Sequence, residues 1–204
     1  ISGNKNVGTI VGIQKGLLEN CKVYGNVNGI ESVGGIAGFK YGMINNSSVY
    51  GDVTGKKLIG GIVGSNNGNI NQSFFVGNVI GTETNTSERG YVGGISGNNY
   101  GNIEGSFSSG SIKSKALYTG GISGSLTDTA LIKNCYSTSN IEGYTDAGGI
   151  VGSIGGKVEN CYSTGNVKGN RVGGITGFIT GASAYLKNCF ALNPSIDATH
   201  TENG

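Results

Sequence analysis

Short groups of aliphatic residues recur along the chain at a nearly constant interval, separated by glycine, asparagine and polar residues. The tripeptide Gly-Gly-Ile and its variants place a first glycine at seven positions: Gly8, Gly34, Gly60, Gly93, Gly120, Gly148 and Gly173. The intervals between them are 26, 26, 33, 27, 28 and 25 residues. Each repeat follows the consensus V-G-G-I-x-G, a spacer, and G-x-I-x-N-(C/S)-aromatic-S-x-G-x-V-x-G. Repetition at this period predicts a solenoid, a propeller or an array.

The length and composition of the repeat favour the solenoid. A propeller blade needs about 40 residues, and each glycine would cost close to 1 kcal/mol in a helix. Three short strands, "GGIVG", "IxNCYS" and "GxVxG", fit the repeat, with glycine or asparagine at the corners. We therefore predict an all-β fold, a single-stranded parallel β-solenoid (β-helix) of about seven rungs with three short strands per rung. One such domain spans residues 1–204, which we expect to be a fragment of a longer protein.

Three columns of aliphatic residues are predicted to face inward and form the core. The first column is Ile10, Ile36, Ile62, Ile95, Ile122, Ile150 and Ile175; the second is Leu18, Ile44, Ile70, Ile103, Ile132, Val158 and Leu186; the third is Val27, Val53, Val79, Ile112, Ile141 and Val167. Three anchors cannot offset the entropy of ordering one rung. Stability must therefore be shared between neighbouring rungs.

Cysteine and serine interchange in a fourth column, which consists of Cys21, Ser47, Ser73, Ser106, Cys135, Cys161 and Cys189. A catalytic nucleophile would not be duplicated in four rungs. Stacking at about 5 Å per rung leaves metal binding or an inter-rung disulfide open for the last three cysteines, but we favour buried thiols. The preceding column, Asn20, Asn46, Gln72, Gly105, Asn134, Asn160 and Asn188, is interpreted as an asparagine ladder at a left-handed corner.

Aromatic side chains follow the cysteine column in five consecutive rungs: Phe74, Phe107, Tyr136, Tyr162 and Phe190. If the cysteines point inward, strand alternation turns these rings outward. Two interpretations remain open: the rings form a ribbon that binds sugar or protein, or they shield strand edges. The long spacers "GTETNTSERG", "SLTDTALIK" and "FITGASAYLK" are further candidate binding positions.

Charge and residue content argue against several classes of function. The net charge of +2 from 14 basic and 12 acidic residues forms no stripe for nucleic acid. No apolar run approaches the roughly 18 residues that span a bilayer. His200 is the single histidine, so no zinc-peptidase motif exists and we assign no catalytic, cofactor-binding or metal-binding residue. Glu104 and Glu159 share a column with lysines, which is typical of a solvated face.

The segment "GGIVGSIGGKVENCYSTGNVKGNRVGGITG", residues 148–177, closely resembles the GLUG-motif repeat. Weaker copies extend the resemblance from Val7 to about Ile196, with departures at "GTI" in the first repeat and at the serines of the cysteine column. GLUG repeats are found in secreted or surface-attached bacterial proteins, including adhesins and non-catalytic regions of immunoglobulin A metallopeptidases. The resemblance implies a secreted or cell-surface bacterial location and carries no catalytic residue onto this chain.

We therefore expect a non-enzymatic, surface-displayed module that acts as a spacer and as an adhesion or recognition domain. Its expected partners are a host protein or glycan and neighbouring domains of the same chain, without a cofactor, nucleic acid or membrane insertion. The alternative is an accessory, non-catalytic region of a secreted immunoglobulin A-type zinc metallopeptidase, which a downstream zinc motif would favour. The third hypothesis is a polysaccharide-active β-helix enzyme, which would need clustered carboxylates on one outer face.

Overall fold

A computed structural model of the chain describes residues 1–83, 90–115 and 117–199. Within these ranges the chain forms strands and no helix, and strands one turn apart pair in parallel. The strands lie in four sheets, which each of the seven turns visits in the same order. The predicted parallel β-solenoid is confirmed.

The sheets are numbered here in the order in which one turn crosses them. Sheet one contains Lys5–Gly8, Glu31–Gly34, Ile59–Gly60, Tyr91–Gly93, Tyr118–Gly120, Asp146–Gly148 and Arg171–Gly173. Sheet two contains Val11–Gln14, Ala37–Lys40, Val63–Asn66, Ser96–Asn99, Ser123–Leu126, Val151–Ile154 and Thr176–Ile179. Sheet three contains Leu17–Glu19, Met43–Asn45, Asn69–Asn71, Asn102–Glu104, Leu131–Lys133, Lys157–Glu159 and Tyr185–Lys187. Sheet four contains Lys22–Tyr24, Val27–Asn28, Ser48–Tyr50, Val53–Gly55, Phe74–Gly81, Phe107–Ser114, Tyr136–Ser137, Asn140–Glu142, Tyr162–Ser163, Val167–Gly169, Phe190–Ala191 and Ile196–Ala198.

Equivalent positions of successive turns lie directly above one another. The backbone N–H of Ile122 donates to the carbonyl of Ile150 at 2.8 Å, and the N–H of Ile150 donates to that of Ile175 at 2.9 Å. The predicted inward columns form one continuous core. Two predictions fail at the ends: Ile10 is 42% exposed and Leu186 is 38% exposed. Each lies in a terminal turn, where a neighbouring turn covers one side only.

Two of the three predicted strand segments bend and thereby divide between two sheets. Gly148 ends a strand of sheet one, and Val151 begins the next strand in sheet two. Around this bend the backbones of the two sheets approach so closely that a Cβ on Gly148 would lie 1.9 Å from the carbonyl oxygen of Val151. The paired glycines of the Gly-Gly-Ile motif therefore allow this close contact between the sheets.

The second bend is the predicted asparagine corner, between sheets three and four. Asn134, Asn160 and Asn188 have φ values of 54°, 52° and 52°, and Gly105 occupies the same column at 59°. The Asn188 amide donates to the Asn160 Oδ1 at 3.1 Å, and the Asn160 amide donates to the Asn134 Oδ1 at 3.0 Å. The left-handed backbone is thus confirmed, and the asparagine ladder is confirmed over the last three turns, which assigns this column a structural role.

A polar column at the ends of the sheet-two strands is also buried. It begins with Gln14, Lys40, Asn66 and Asn99, all of which are at most 4% exposed. The Lys40 Nζ donates to the Gly42 carbonyl at 2.7 Å and to the Asn66 Oδ1 at 2.9 Å. In turn, the Asn66 amide donates to the Asn99 Oδ1. Hydrogen bonds that run from turn to turn therefore compensate for the burial of these polar groups.

Candidate functional site

The five predicted aromatic residues lie in register on the outer side of sheet four. The ring centroids of Phe74 and Phe107 are 4.7 Å apart, those of Phe107 and Tyr136 4.8 Å, and those of Tyr136 and Tyr162 5.0 Å. The ring planes of each pair differ by at most 5°. Phe190 pairs with Tyr162 at the end of the sheet and is 63% exposed. The rings from Phe74 to Tyr162 thus form a continuous stack along the solenoid axis, and Phe190 continues the column in register.

Two further tyrosines extend this stack, and the sequence analysis missed them. Tyr24 and Tyr50 are stacked at 5.1 Å, and the Tyr50 ring meets the edge of Phe74 at 5.7 Å and 86°. In the first two turns, Lys22 and Ser48 occupy the column that is aromatic in the later turns. Tyr24 and Tyr50 supply the rings there, two residues farther along the strand. The signal was present, since residues one and three positions after the cysteine column share a strand face. We call these seven rings, from Tyr24 to Phe190, the aromatic ribbon.

The ribbon presents ring edges to solvent. In a parallel stack with about 5 Å between centroids, each ring covers the face of its neighbour, so that no ligand fits between them. Phe74, Phe107 and Tyr136 are half-buried, and Tyr162 is exposed. Burial and the neighbouring Tyr162 raise the pKa of Tyr136. A row of apolar edges and neutral hydroxyls suits a flat partner surface better than the face of a sugar ring.

The cysteine column points inward and forms a repeated hydrogen-bonding element. Each hydroxyl or thiol donates to the carbonyl two residues earlier: Ser73 to Asn71 at 2.8 Å, and Cys161 to Glu159 at 3.1 Å. The Ser73 N–H in turn donates to the Ser106 Oγ of the next turn at 3.1 Å. Serine and cysteine are interchangeable here because both can close the corner in this way.

The thiols of this column are poorly suited to nucleophilic chemistry. The hydrogen bond with Cys135 and burial raise the pKa of Cys161, and burial raises that of Cys189. All four cysteines are unpaired in the structure. Since the thiolate is the nucleophile and the metal ligand, protonated buried thiols support the structural interpretation.

A labelling experiment tests this interpretation. In a brief iodoacetamide pulse at pH 8, we expect Cys135 and Cys161 of the folded protein to react at least about a hundredfold more slowly than in denaturant, because both thiols are buried away from the reagent. Cys21 and Cys189 are half-buried in the terminal turns and should react faster than the central pair. Mass spectrometry of tryptic peptides reads out each site. Equal labelling of Cys161 in the folded and unfolded protein would contradict the prediction.

The carboxylates that the structure describes form no centre that resembles paired acid and base groups. Tyr185 donates a hydrogen bond to the exposed Glu159, and this bond lowers the pKa of Glu159. Asp146 is fully buried, where Arg171 binds both of its oxygens. Desolvation raises the pKa of Asp146, and the Arg171 guanidinium offsets only part of that effect. In the described ranges no three His, Cys, Asp or Glu side chains cluster as metal ligands.

Several candidate positions from the sequence lie outside the described residues or away from the aromatic ribbon. His200 and the middle of the spacer "GTETNTSERG", residues 84–89, lie outside the described residues. The spacers after Leu126 and Ile179 leave the ends of sheet-two strands, away from the ribbon. Among the residues described, no helix is long and apolar enough to cross a membrane.

Fold and surface together define a β-solenoid repeat protein in which one sequence repeat makes one turn. Comparison with protein-family models matches the GLUG motif to residues 143–168, which confirms the resemblance predicted from the sequence. The matched segment crosses all four sheets and is therefore one turn of the coil. No curated protein and no solved structure matches the chain.

Proposed function

We propose that this chain is a non-enzymatic repeat module, displayed on a bacterial cell surface or secreted, that serves as a spacer and as an adhesion domain. The aromatic ribbon is the observation that carries the proposal. It runs along sheet four through all seven turns, and its contact surface would bind a host protein.

Exposed apolar side chains beside the ribbon widen this surface. Val76 is in register with Tyr50 on the same sheet, and Ile80 lies farther along the same strand. Both are exposed. Large exposed apolar patches on soluble proteins are characteristic of interaction sites, and tyrosine is enriched among the residues that dominate binding energy. A protein partner is favoured over a glycan because the stacked rings offer edges.

The spacer role is supported by the way in which the turns are joined. Every central turn is hydrogen-bonded to both neighbours in all four sheets. The buried columns continue the same contacts through the interior. Each added turn lengthens a solenoid of this kind along one axis, since each repeat contacts only its neighbours.

The non-enzymatic part of the proposal is supported by the chemistry of the candidate groups. The cysteine thiols close backbone corners, the pKa values of Cys161 and Cys189 are raised, and the Asp146 carboxylate is held by Arg171. A second candidate function, the accessory region of an immunoglobulin A-type peptidase, is supported by the GLUG motif alone. In that case the catalytic zinc would belong to another domain.

Replacing Tyr136 and Tyr162 together with serine tests the ribbon. We expect attachment to immobilised collagen, fibronectin, laminin or immunoglobulin A to weaken at least about tenfold, because two adjacent rings are lost from the contact surface. The matched control is the Phe39→Ser/Tyr41→Ser variant, which removes another pair of contacting rings, 4.9 Å apart, from sheet two and the corner that follows it.

Surface plasmon resonance measures the attachment, and circular dichroism confirms that both variants remain folded. The ribbon proposal requires that only the Tyr136→Ser/Tyr162→Ser variant loses affinity. Equal loss in both variants, unchanged binding, or no binding of the native chain to any of the four proteins would reject the ribbon as the adhesive surface.

A further inference from the structure

A cleft of about 630 Å³ lies against sheets one and two, and the aromatic ribbon contributes nothing to it. Tyr91 and Tyr118 line it from sheet one, and Asn98 and Ser125 line it from sheet two. Tyr100 and the spacer that begins with Thr127 complete it at the corner after sheet two. Its size falls in the range of small-molecule sites.

One aromatic residue of the cleft, Tyr100, differs from the stacked rings of the ribbon. Tyr91 and Tyr118 stack on each other at 5.4 Å and 6°. Tyr100 is 48% exposed, and no ring or cation contact among the described residues involves it. About half of its side chain is therefore open to solvent, and no described ring stacks on it as the rings of the ribbon stack on one another. An accessible aromatic face in a cleft is suited to packing against the C–H face of a pyranose ring.

A buried polar atom without a partner lies beside this ring. Asn98 is only 6% exposed, and its amide nitrogen donates to the Tyr100 hydroxyl at 3.0 Å. Its Oδ1 has no hydrogen-bond partner in the described part of the chain. The side chains of Ser125 and Ser153 also line the cleft. A buried oxygen without a partner costs about 1–3 kcal/mol, so a ligand hydroxyl that reaches it after a small side-chain rotation would be stabilising.

The charge of the cleft further restricts the class of ligand that it can bind. Among its described lining residues, Asp128 is the only charged one, and it lies on the exposed corner. A phosphate or other anion would find no basic partner in this lining. A neutral polyhydroxylated molecule could donate hydroxyls both to this carboxylate and to the Asn98 Oδ1.

We propose that this cleft binds a neutral carbohydrate of one or two pyranose units, with Tyr100 as the stacking platform and Asn98, Ser125 and Asp128 as the polar contacts. The site is separate from the proposed adhesive ribbon, because the two share no residue and lie on different sheets. Loss of either one leaves the other intact, so the two proposals can fail independently.

Saturation-transfer difference NMR on the full chain provides the test. The probes are glucose, galactose, mannose, N-acetylglucosamine, lactose, cellobiose and chitobiose at concentrations up to about 10 mM, since a small open site gives weak affinities. At least one sugar should show saturation transfer. The Tyr100→Ala variant should reduce its affinity at least about fivefold, because the stacking platform is lost.

Two variants sharpen the result. Tyr41→Ala is the matched control, since Tyr41 occupies the same column two turns earlier and is 53% exposed. It should leave sugar binding unchanged. Asn98→Ser removes the unpartnered oxygen and places serine where Ser65 and Ser125 stand in the neighbouring turns, so that the fold is kept. This change should also weaken binding.

Three outcomes would overturn the proposal. The first is that no sugar of the panel binds, and the second is that Tyr100→Ala binds as tightly as the native chain. The third is that only a cationic probe, such as a lysine-rich peptide, binds and is lost on Asp128→Asn, which would make the cleft a cation site. The Tyr136→Ser/Tyr162→Ser variant should bind the sugar normally, which separates this test from that of the ribbon.

Discussion

Replacing Gly120 with alanine is expected to lower the free energy of unfolding by about 3 kcal/mol. Gly120 lies in a central turn at the bend between sheets one and two. A Cβ there would lie 2.1 Å from the Ser123 carbonyl oxygen, 2.7 Å from the Gly152 nitrogen and 2.8 Å from the Val151 Cα. All three atoms belong to the backbone, so no side chain can rotate away. The methyl group must force two turns apart, and urea unfolding followed by circular dichroism measures the loss.

Gly16→Ala is the matched control for this experiment. A Cβ at Gly16 meets no atom within 4 Å, and its backbone lies outside the left-handed region. We expect this variant to keep its stability or to gain up to about 1 kcal/mol, since alanine reduces the freedom of the unfolded chain. If the Gly120→Ala variant were as stable as Gly16→Ala, the bend would have room for a methyl group. That result would contradict the close backbone contacts around Gly120.

The interior of the solenoid could be predicted because its signals are periodic. The isoleucines at positions 122, 150 and 175 fall at one phase of the repeat, and so do the asparagines of the left-handed corner. Vertical stacking follows from this phase alone. The tight contact between sheets one and two could not be predicted in the same way, since Gly120 is compatible with a turn, a bulge or a close approach.

The candidate site was predictable only in part, for a similar reason. Strand alternation placed Tyr136 and Tyr162 on the outer side of sheet four, but whether stacked rings show faces or edges depends on side-chain rotamers. Tyr24 and Tyr50 were missed because they lie two residues away from the chosen column. The cleft around Tyr100 combines the corners that follow sheet two in four successive turns. The repeat stacks these corners, and the spacers at two of them were candidate binding positions, but the cleft that their side chains form could not be predicted from the spacing.

Raising the pH from 7 to 9 is expected to stabilise the native chain, relative to a Lys40→Gln variant, by roughly 2–3 kcal/mol. Desolvation lowers the pKa of Lys40 from 10.5 to about 7 in the folded protein. Between these two values the unfolded chain binds more protons than the folded chain, so stability rises with pH. Below about pH 7 both states are protonated, and the contribution of Lys40 no longer changes.

The Lys40→Gln variant separates this contribution from those of other groups that titrate over the same pH range. Glutamine is the residue that the same column carries one turn earlier, at Gln14, and its amide can donate to the Asn66 Oδ1 in place of the amine. At pH 7 the variant should therefore be at least as stable as the native chain, since it buries no group that must lose a proton. Urea midpoints of both proteins at pH 6, 7, 8 and 9 give the comparison. Parallel pH profiles for the two proteins would mean that the Lys40 amine is solvated in the folded state. That result would contradict its enclosed position between Gly42 and Asn66.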